Sequence, residues 1–143
     1  MSVEENIKLV NRGDKAIKDR DFKTIESLYA EDAIAIMSGS PEPIKGNKVI
    51  AEISRQYLES FPDSHIENEL EIGQDSWVCV AGTWNGTNTG PLTMPDGTSI
   101  AATNKRVKIP MCTLFNVKDG KIIEQRDYFD MMTFMDQLGL SKP

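Results

Sequence analysis

The sequence predicts an α+β fold in which a curved antiparallel sheet wraps around a layer of N-terminal helices. Three observations carry this. Apolar residues recur at helical spacing as far as Phe61, they alternate at period two from Pro62 onward, and one short helical segment closes the chain. Runs of helix followed by runs of strand indicate α+β rather than a parallel α/β sheet. The 143 residues suit one domain with a full core, spanning 1–143.

Ser2 with Glu5 three positions later is a capping-box signal, and the helix it opens carries Ile7, Val10, Ala16 and Ile17 on one side. Asp19-Arg20-Asp21 breaks that helix, and Asp21 caps a second one with Phe22, Ile25, Leu28 and Tyr29 at helical spacing. A short strand from Ala33 to Met37 and a loop from Ser38 to Gly46 follow. The third helix covers about Asn47 to Ser60, with Val49, Ile50, Ile53, Tyr57 and Leu58 as its apolar stripe.

Period two then takes over. Ile66, Leu70 and Ile72 alternate with His65, Glu67, Glu69 and Glu71, which predicts a half-buried strand with an acidic outer face and an outward His65. Ser76 to Thr87 is a second strand. A Gly/Pro/Thr-rich loop from Gly90 to Ser99 contains a Pro95-Asp96-Gly97 turn. Lys105 to Val117 is a third strand, in which Pro110 requires a bulge or an edge position. Asp119-Gly120 turns it into a fourth, Lys121 to Phe129. Asp130 caps the last helix and Gly139 stops it.

Composition restricts the function. A net charge of −6 disfavours nucleic acid and anionic membrane surfaces as partners. No apolar run approaches the ~18 residues of a membrane span. The acidic N-terminus lacks the basic and apolar regions of a signal peptide, so the expected location is cytoplasmic. Cys79 and Cys112 are then expected as free, buried thiols. His65 is the one histidine, and no H-x-x-x-H, C-x-x-C or E-x-x-H spacing exists, so no metal site is expected. Glycine-rich phosphate loops and a G-x-S-x-G nucleophile word are absent too. No cofactor is expected.

Several segments resemble the nuclear transport factor 2-like superfamily, and within it the SnoaL-like polyketide cyclase group. They are L-Y-A-E-D-A (Leu28 to Ala33), F-P-D-S-H (Phe61 to His65), W-N-G-T-N-T-G-P-L (Trp84 to Leu92), F-N-V-K-D-G-K-I-I-E (Phe115 to Glu124) and D-Y-F-D followed by Q-L-G. The resemblance implies a cone-shaped barrel with an apolar pocket, a homodimer, and an aspartate of the final strand as catalytic acid/base. The matching residue is Asp127. Two departures stand out. The cyclase-like word G-T-H-x-G reads G-T-N-T-G here, with Asn88 in place of the histidine. The Tyr, Asn, Arg and second Asp that hold water in the related epoxide hydrolases correspond to Ala35, Met37 and the neighbourhood of Thr83 and Asn85, which disfavours epoxide hydrolysis.

Strand alternation puts Ile123, Gln125, Asp127 and Phe129 on one face, with Ile122, Glu124, Arg126 and Tyr128 on the other. A carboxylate among apolar groups loses hydration, which lifts its pKa toward the range of a general base. A surface ion pair is the alternative. The partner of Asp127 across the last hairpin is Cys112 for a two-residue turn or Met111 for a three-residue turn with a bulge. Trp84, Tyr57, Phe61, Met111 and Phe129 are candidates to line a pocket for a small, flat, apolar molecule, although aromatics at these spacings also serve as plain core. Asn85 and Asn88 are candidate donors to a carbonyl or enolate oxygen, or else turn formers beside Gly86 and Gly90. The expected activity is proton abstraction next to a carbonyl, leading to isomerisation or aldol cyclisation. A ligand-binding or dimerisation module is the rival.

Overall fold

The computed structural model describes residues 2–40, 42–94 and 96–141. Its elements are α1 (Val3–Lys18), α2 (Phe22–Leu28), β1 (Tyr29–Met37), β2 (Ile44–Lys45), α3 (Asn47–Ser60), β3 (His65–Gln74), β4 (Trp77–Thr87), β5 (Leu92–Thr93), β6 (Ser99–Ile100), β7 (Arg106–Lys118), β8 (Lys121–Tyr128) and α4 (Met131–Gln137). Six strands form one sheet in the order β2-β1-β8-β7-β4-β3, and β5-β6 is a separate small ribbon. The predicted α+β architecture stands, with one refinement: β1 lies parallel to β8, while the other neighbours in the large sheet run antiparallel.

The caps act as the sequence requires. Ser2 accepts the Glu5 amide at 3.1 Å and Asp21 the Thr24 amide at 3.2 Å. Asp130 accepts the Met132 and Thr133 amides at 3.0 and 3.3 Å, and Gly139 leaves α4 at φ 74°. Replacing Asp130 with Ala is expected to destabilise the start of α4, readable as a lowered denaturation midpoint. Tyr29 does not end α2 but begins β1. The loop after β1 contains β2, and the Gly90 to Ser99 loop contains β5 and part of β6. Of the turn read there, Asp96 and Gly97 adopt it, with the Gly97 amide bonded to the Met94 carbonyl; Pro95 lies outside the described residues.

Two larger cores and a smaller cluster of Val10, Val78 and Val80 form between the helices and the inner face of the sheet. One joins α1, α2 and α3 to β1 and β8 through Leu9, Ile25, Leu28, Ala33, Ile50 and Ile122. The other is aromatic, with Phe61, Trp84, Val107, Ile109 and Leu138 buried and Tyr57, Met111, Phe129 and Phe134 packed against them. Val49 is 48% exposed, so Ala51 rather than Val49 completes the buried stripe of α3.

Strand β3 departs from its alternation. A one-residue bulge between Glu67 and Leu70, with Asn68 at φ 55°, reverses the facing of everything beyond it. Leu70 and Ile72 therefore point outward at 56% and 55% exposure, and Glu69 comes within electrostatic reach of Asp14 and Lys18 on α1. The expected apolar-in, acidic-out strand holds for neither of those leucine and isoleucine positions.

Pro110 sits within an unbroken pairing of β7 with β4. Pairing with β8, however, ends at Cys112, so β7 is an edge on that side when it reaches the proline. Cys79 and Cys112 are free but only half-buried, with sulfurs 3.4 Å apart. Burial, then the neighbouring Cys79 thiol, push the Cys112 thiol up to about 11. Among the described residues, no helix is long and apolar enough to cross a membrane.

Candidate active site

The hairpin that carries Asp127 turns tightly. Lys118 pairs with Lys121, and Asp119 and Gly120 take φ of 52° and 74°. That two-residue turn would place Cys112 opposite Asp127. A bulge intervenes instead. The pairing steps from Val117–Ile122 to Asn116–Glu124, leaving Ile123 as the extra residue on β8. The partner of Asp127 is therefore Thr113, neither Cys112 nor Met111. The same step carries Ile122 into the core at 1% exposure, where strict alternation would have set it on the outer face.

The cross-strand neighbour is thus polar, and it matters. Thr113 Oγ1 donates to Asp127 Oδ1 at 2.7 Å, and Gln125 Nε2 donates to Oδ1 and Oδ2 at 3.2 and 3.1 Å. Asp127 is 7% exposed and points inward. Among the described residues no Lys, Arg or His forms a salt bridge to it. Burial raises its pKa above the ordinary aspartate value; the Thr113 and Gln125 hydrogen bonds, which favour the charged form, only partly counter that. The surface ion-pair alternative does not describe this side chain. Ser38 completes the backbone support by donating Oγ to the Asp127 carbonyl and accepting the Phe129 amide, both at 3.1 Å.

The aromatic residues come together beside it. Met111 lies one inward step beyond Thr113 on β7, and Phe129 follows the last residue of β8, two positions after Asp127. Phe61 meets Trp84 edge-on at 5.0 Å, and Tyr57 lies 5.7 Å from Phe61 and 5.6 Å from Trp84. Phe134 of α4 closes the group, 5.9 Å from Phe61, 6.1 Å from Trp84 and 5.7 Å from Phe129. Trp84 Nε1 donates to Ser64 Oγ at 2.8 Å, and Ser64 donates on to the Tyr57 hydroxyl at 3.4 Å. Burial pushes the Tyr57 phenol above its ordinary pKa, and the nearby charge of Asp127 adds to the rise.

The two asparagines do other work. Asn88, fully buried, gives its amide hydrogens to the Ser60 and Gly90 carbonyls at 3.3 and 2.9 Å and accepts from Thr103. It clamps the loop after β4 to the end of α3. Gly90 belongs to the same junction, since a Cβ there would stand 1.9 Å from the Glu59 carbonyl oxygen. Asn85 is equally buried. It alternates with Trp84 along β4, donates to the Thr83 carbonyl at 3.2 Å and accepts from Arg106 at 2.9 Å. Ala35 and Met37 pair with Gln125 and Asp127 across the parallel strands.

Among the cavities that the described residues form are two at the surface. One, of about 170 Å³, is lined by Asn6, Asp75, Ser76, Val117 and Asp119, and the other, of about 390 Å³, by Arg20, Phe22, Arg55, Leu58, Glu59 and Pro62. Asp127 lines neither. Among the described residues, no three His, Cys, Asp or Glu side chains are grouped to hold a metal ion. Thr113, Gln125 and Tyr29, whose phenol donates to Gln125 Oε1, are the site residues the sequence did not single out. Gln125 was placed on the right face by alternation, but Thr113 depended on a bulge with no glycine to mark it.

A family model described as SnoaL-like polyketide cyclase matches residues 7–138. No curated protein matches significantly. Among solved structures, an NTF2-like protein from Burkholderia xenovorans LB400 superposes with a TM-score of 0.78 at 20% identity, covering 96% of this chain and 98% of that one. TsrD from Streptomyces laurentii gives 0.79 at 16% identity, covering 99% of both. A Catenulispora acidiphila DSM 44928 protein described as having a ketosteroid isomerase-like fold gives 0.73 at 17% identity, covering 94% of this chain and 97% of that one. At such identities the likeness speaks to the fold alone.

Proposed function

This chain belongs to the SnoaL-like polyketide cyclase family, and from that premise we propose that it abstracts a proton next to a carbonyl of a small, flat, apolar compound of polyketide or steroid-like type, with Asp127 as the base. The observation that carries the reading is a buried carboxylate with no cationic partner among the described residues, held by two neutral donors beside an aromatic cluster. A merely structural acid would be expected to carry a counter-charge, because an unpaired buried charge costs folding free energy. Here burial instead raises the affinity of Asp127 for a proton, as a base working near neutral pH requires.

In this mechanism Asp127 takes the proton from the carbon beside the carbonyl, and the electron pair moves onto the carbonyl oxygen as an enolate. Return of the proton at another carbon isomerises the compound, and attack of the enolate on a second carbonyl closes a ring. The donor to the enolate oxygen is Tyr57. Its oxygen already accepts from Ser64, and among the described residues no group takes its own proton. Asn88 spends both amide hydrogens on carbonyls and is not available for that role; Asn85 gives one of its two to the Thr83 carbonyl. The test is exchange of carbonyl-adjacent hydrogens for deuterium in D₂O, followed by NMR over a panel of flat apolar ketones. Exchange by the wild type and its loss in Asp127→Asn support the reading. Equal exchange by both proteins overturns it.

The rival, a ligand-binding or association module, draws on one specific observation: aromatic rings pack into a cluster beside Asp127. Both readings share a homodimer. Strand pairing sets two rows across the outer face of the sheet, Ile36-Arg126-Leu114-Cys79-Ile72 and Tyr128-Cys112-Ala81-Leu70. Of these, Ile36, Leu70, Ile72 and Tyr128 are 37%, 56%, 55% and 46% exposed. A sheet face with exposed apolar residues on both sides of the Arg126–Glu124 ion pair is suited to a second copy meeting it about a two-fold axis. Leu70→Glu is expected to convert a dimer into a monomer in sedimentation equilibrium. A monomeric wild type would exclude this interface.

A further inference from the structure

We propose that Tyr29 is a positioning residue for Asp127, acting through Gln125: its phenol locks the Gln125 amide so that the NH₂ group, and never the oxygen, faces the carboxylate. The proposal rests on the reading of Asp127 as the base. The geometry is a chain of three side chains. Tyr29 Oη donates to Gln125 Oε1, and Gln125 Nε2 donates to both oxygens of Asp127, at 3.2 and 3.1 Å. A glutamine amide can turn over and exchange its oxygen for its nitrogen. Turned over, Gln125 would aim an acceptor at two carboxylate oxygens. That arrangement disfavours the charged base and favours the protonated acid. The Tyr29 hydroxyl, 9% exposed as a residue and supplied by a different part of the chain, rewards one orientation only.

Its placement follows from the fold. Tyr29 is the first residue of β1, where α2 hands over to the strand, and it pairs with Ile122 on β8. The bulge at Ile123 then brings Gln125 and Asp127 to the inner face above it. The residue belongs to the L-Y-A-E-D-A segment, to which the sequence assigned no chemistry. Other titratable groups that sense Asp127 are Tyr57 from α3 and Cys112 from β7; neither carries a charge that could hold the carboxylate ionised at neutral pH. Burial pushes the Tyr29 phenol itself upward, so it stays a donor throughout the working range.

The test needs no substrate. Asp127 is titrated by carboxyl ¹³C NMR in the full-length wild type, in Tyr29→Phe, in Gln125→Met and in the double variant. Tyr29→Phe is expected to raise the Asp127 midpoint by about one unit, the scale of a hydrogen bond to a charged group. Gln125→Met should raise it similarly, and the double variant no further than Gln125→Met alone. An unmoved midpoint in Tyr29→Phe, or additive shifts in the double variant, would overturn the proposal. Should Gln125→Met fail to fold, Gln125→Glu, which restores an acceptor to Tyr29 but aims a second carboxylate at Asp127, must raise the midpoint more than Tyr29→Phe does. Absence of ketone exchange in the wild type would defeat the catalytic reading while leaving these midpoints as they are.

Discussion

Asp127→Asn is expected to remove hydrogen exchange at carbonyl-adjacent carbon by ~10²–10⁴-fold, the usual contribution of one positioned general base. The fold should survive, because Asn keeps the volume and its one oxygen, in the Oδ1 position, can still accept from Thr113 Oγ1 and Gln125 Nε2, while the bond from Gln125 to Oδ2 is lost. Stability supplies an independent readout. The folded-state pKa of Asp127 is raised, so the native protein holds this proton to a higher pH than the unfolded chain does. Its contribution is fully favourable below the unfolded value of ~4 and is lost as pH climbs through the folded value. Wild type minus variant stability should therefore fall across that window and then level off. Exchange activity should rise over the same window as the base ionises. A stability difference that does not change with pH would mean that Asp127 is not desolvated, and the mechanism would lose its basis.

How far the sequence could foresee this site depends on where the chain keeps its periods. Capping residues and the two-residue turn are local chemistry, and Ser2, Asp21, Asp130, Asp119-Gly120 and Gly139 all act as their types require. The inward aim of Asp127 was legible from alternation with Gln125 and Phe129. Its true neighbour was not. One unpaired residue at Ile123 shifts the pairing of the whole hairpin, so Thr113 replaces the two apolar candidates. The carboxylate then sits in a site with two donors rather than in a purely apolar one. The same accident recurs at Asn68, where a bulge turns Leu70 and Ile72 from expected core into exposed surface. Neither bulge carries a glycine, so composition gives no local warning. The parallel pairing of β1 with β8 was equally hidden. It joins segments some ninety residues apart, and it is what delivers Tyr29 and Ser38 to the site. For Asn88 the sequence left a donor role and a loop role open, and its side chain is fully used in holding a loop.

Phe134→Ala is the substitution that separates the two functional readings. Phe134 touches Phe61, Trp84 and Phe129, and its removal is expected to cost about 3 kcal/mol, the lower end for Phe→Ala because the ring is only partly buried. Yet it sits on α4, a seven-residue helix with no buried residue of its own, anchored at its far end by Leu138. Deleting the ring should thin the cover over the Tyr57–Asp127 region without dismantling the sheet that orients the carboxylate. If ligands reach Asp127 past this ring, the variant will exchange bulkier ketones faster than wild type at a temperature where both are folded. Phe61→Ala is the contrasting control. Phe61 is 1% exposed and meets three rings, so ~3–5 kcal/mol should be lost, with no gain in exchange that outlasts correction for the folded fraction. A scaffold whose rings are simply core would respond to both truncations alike, by unfolding at lower denaturant. Only a protein that admits a substrate beneath α4 has a reason to turn one loss of stability into a gain of reach.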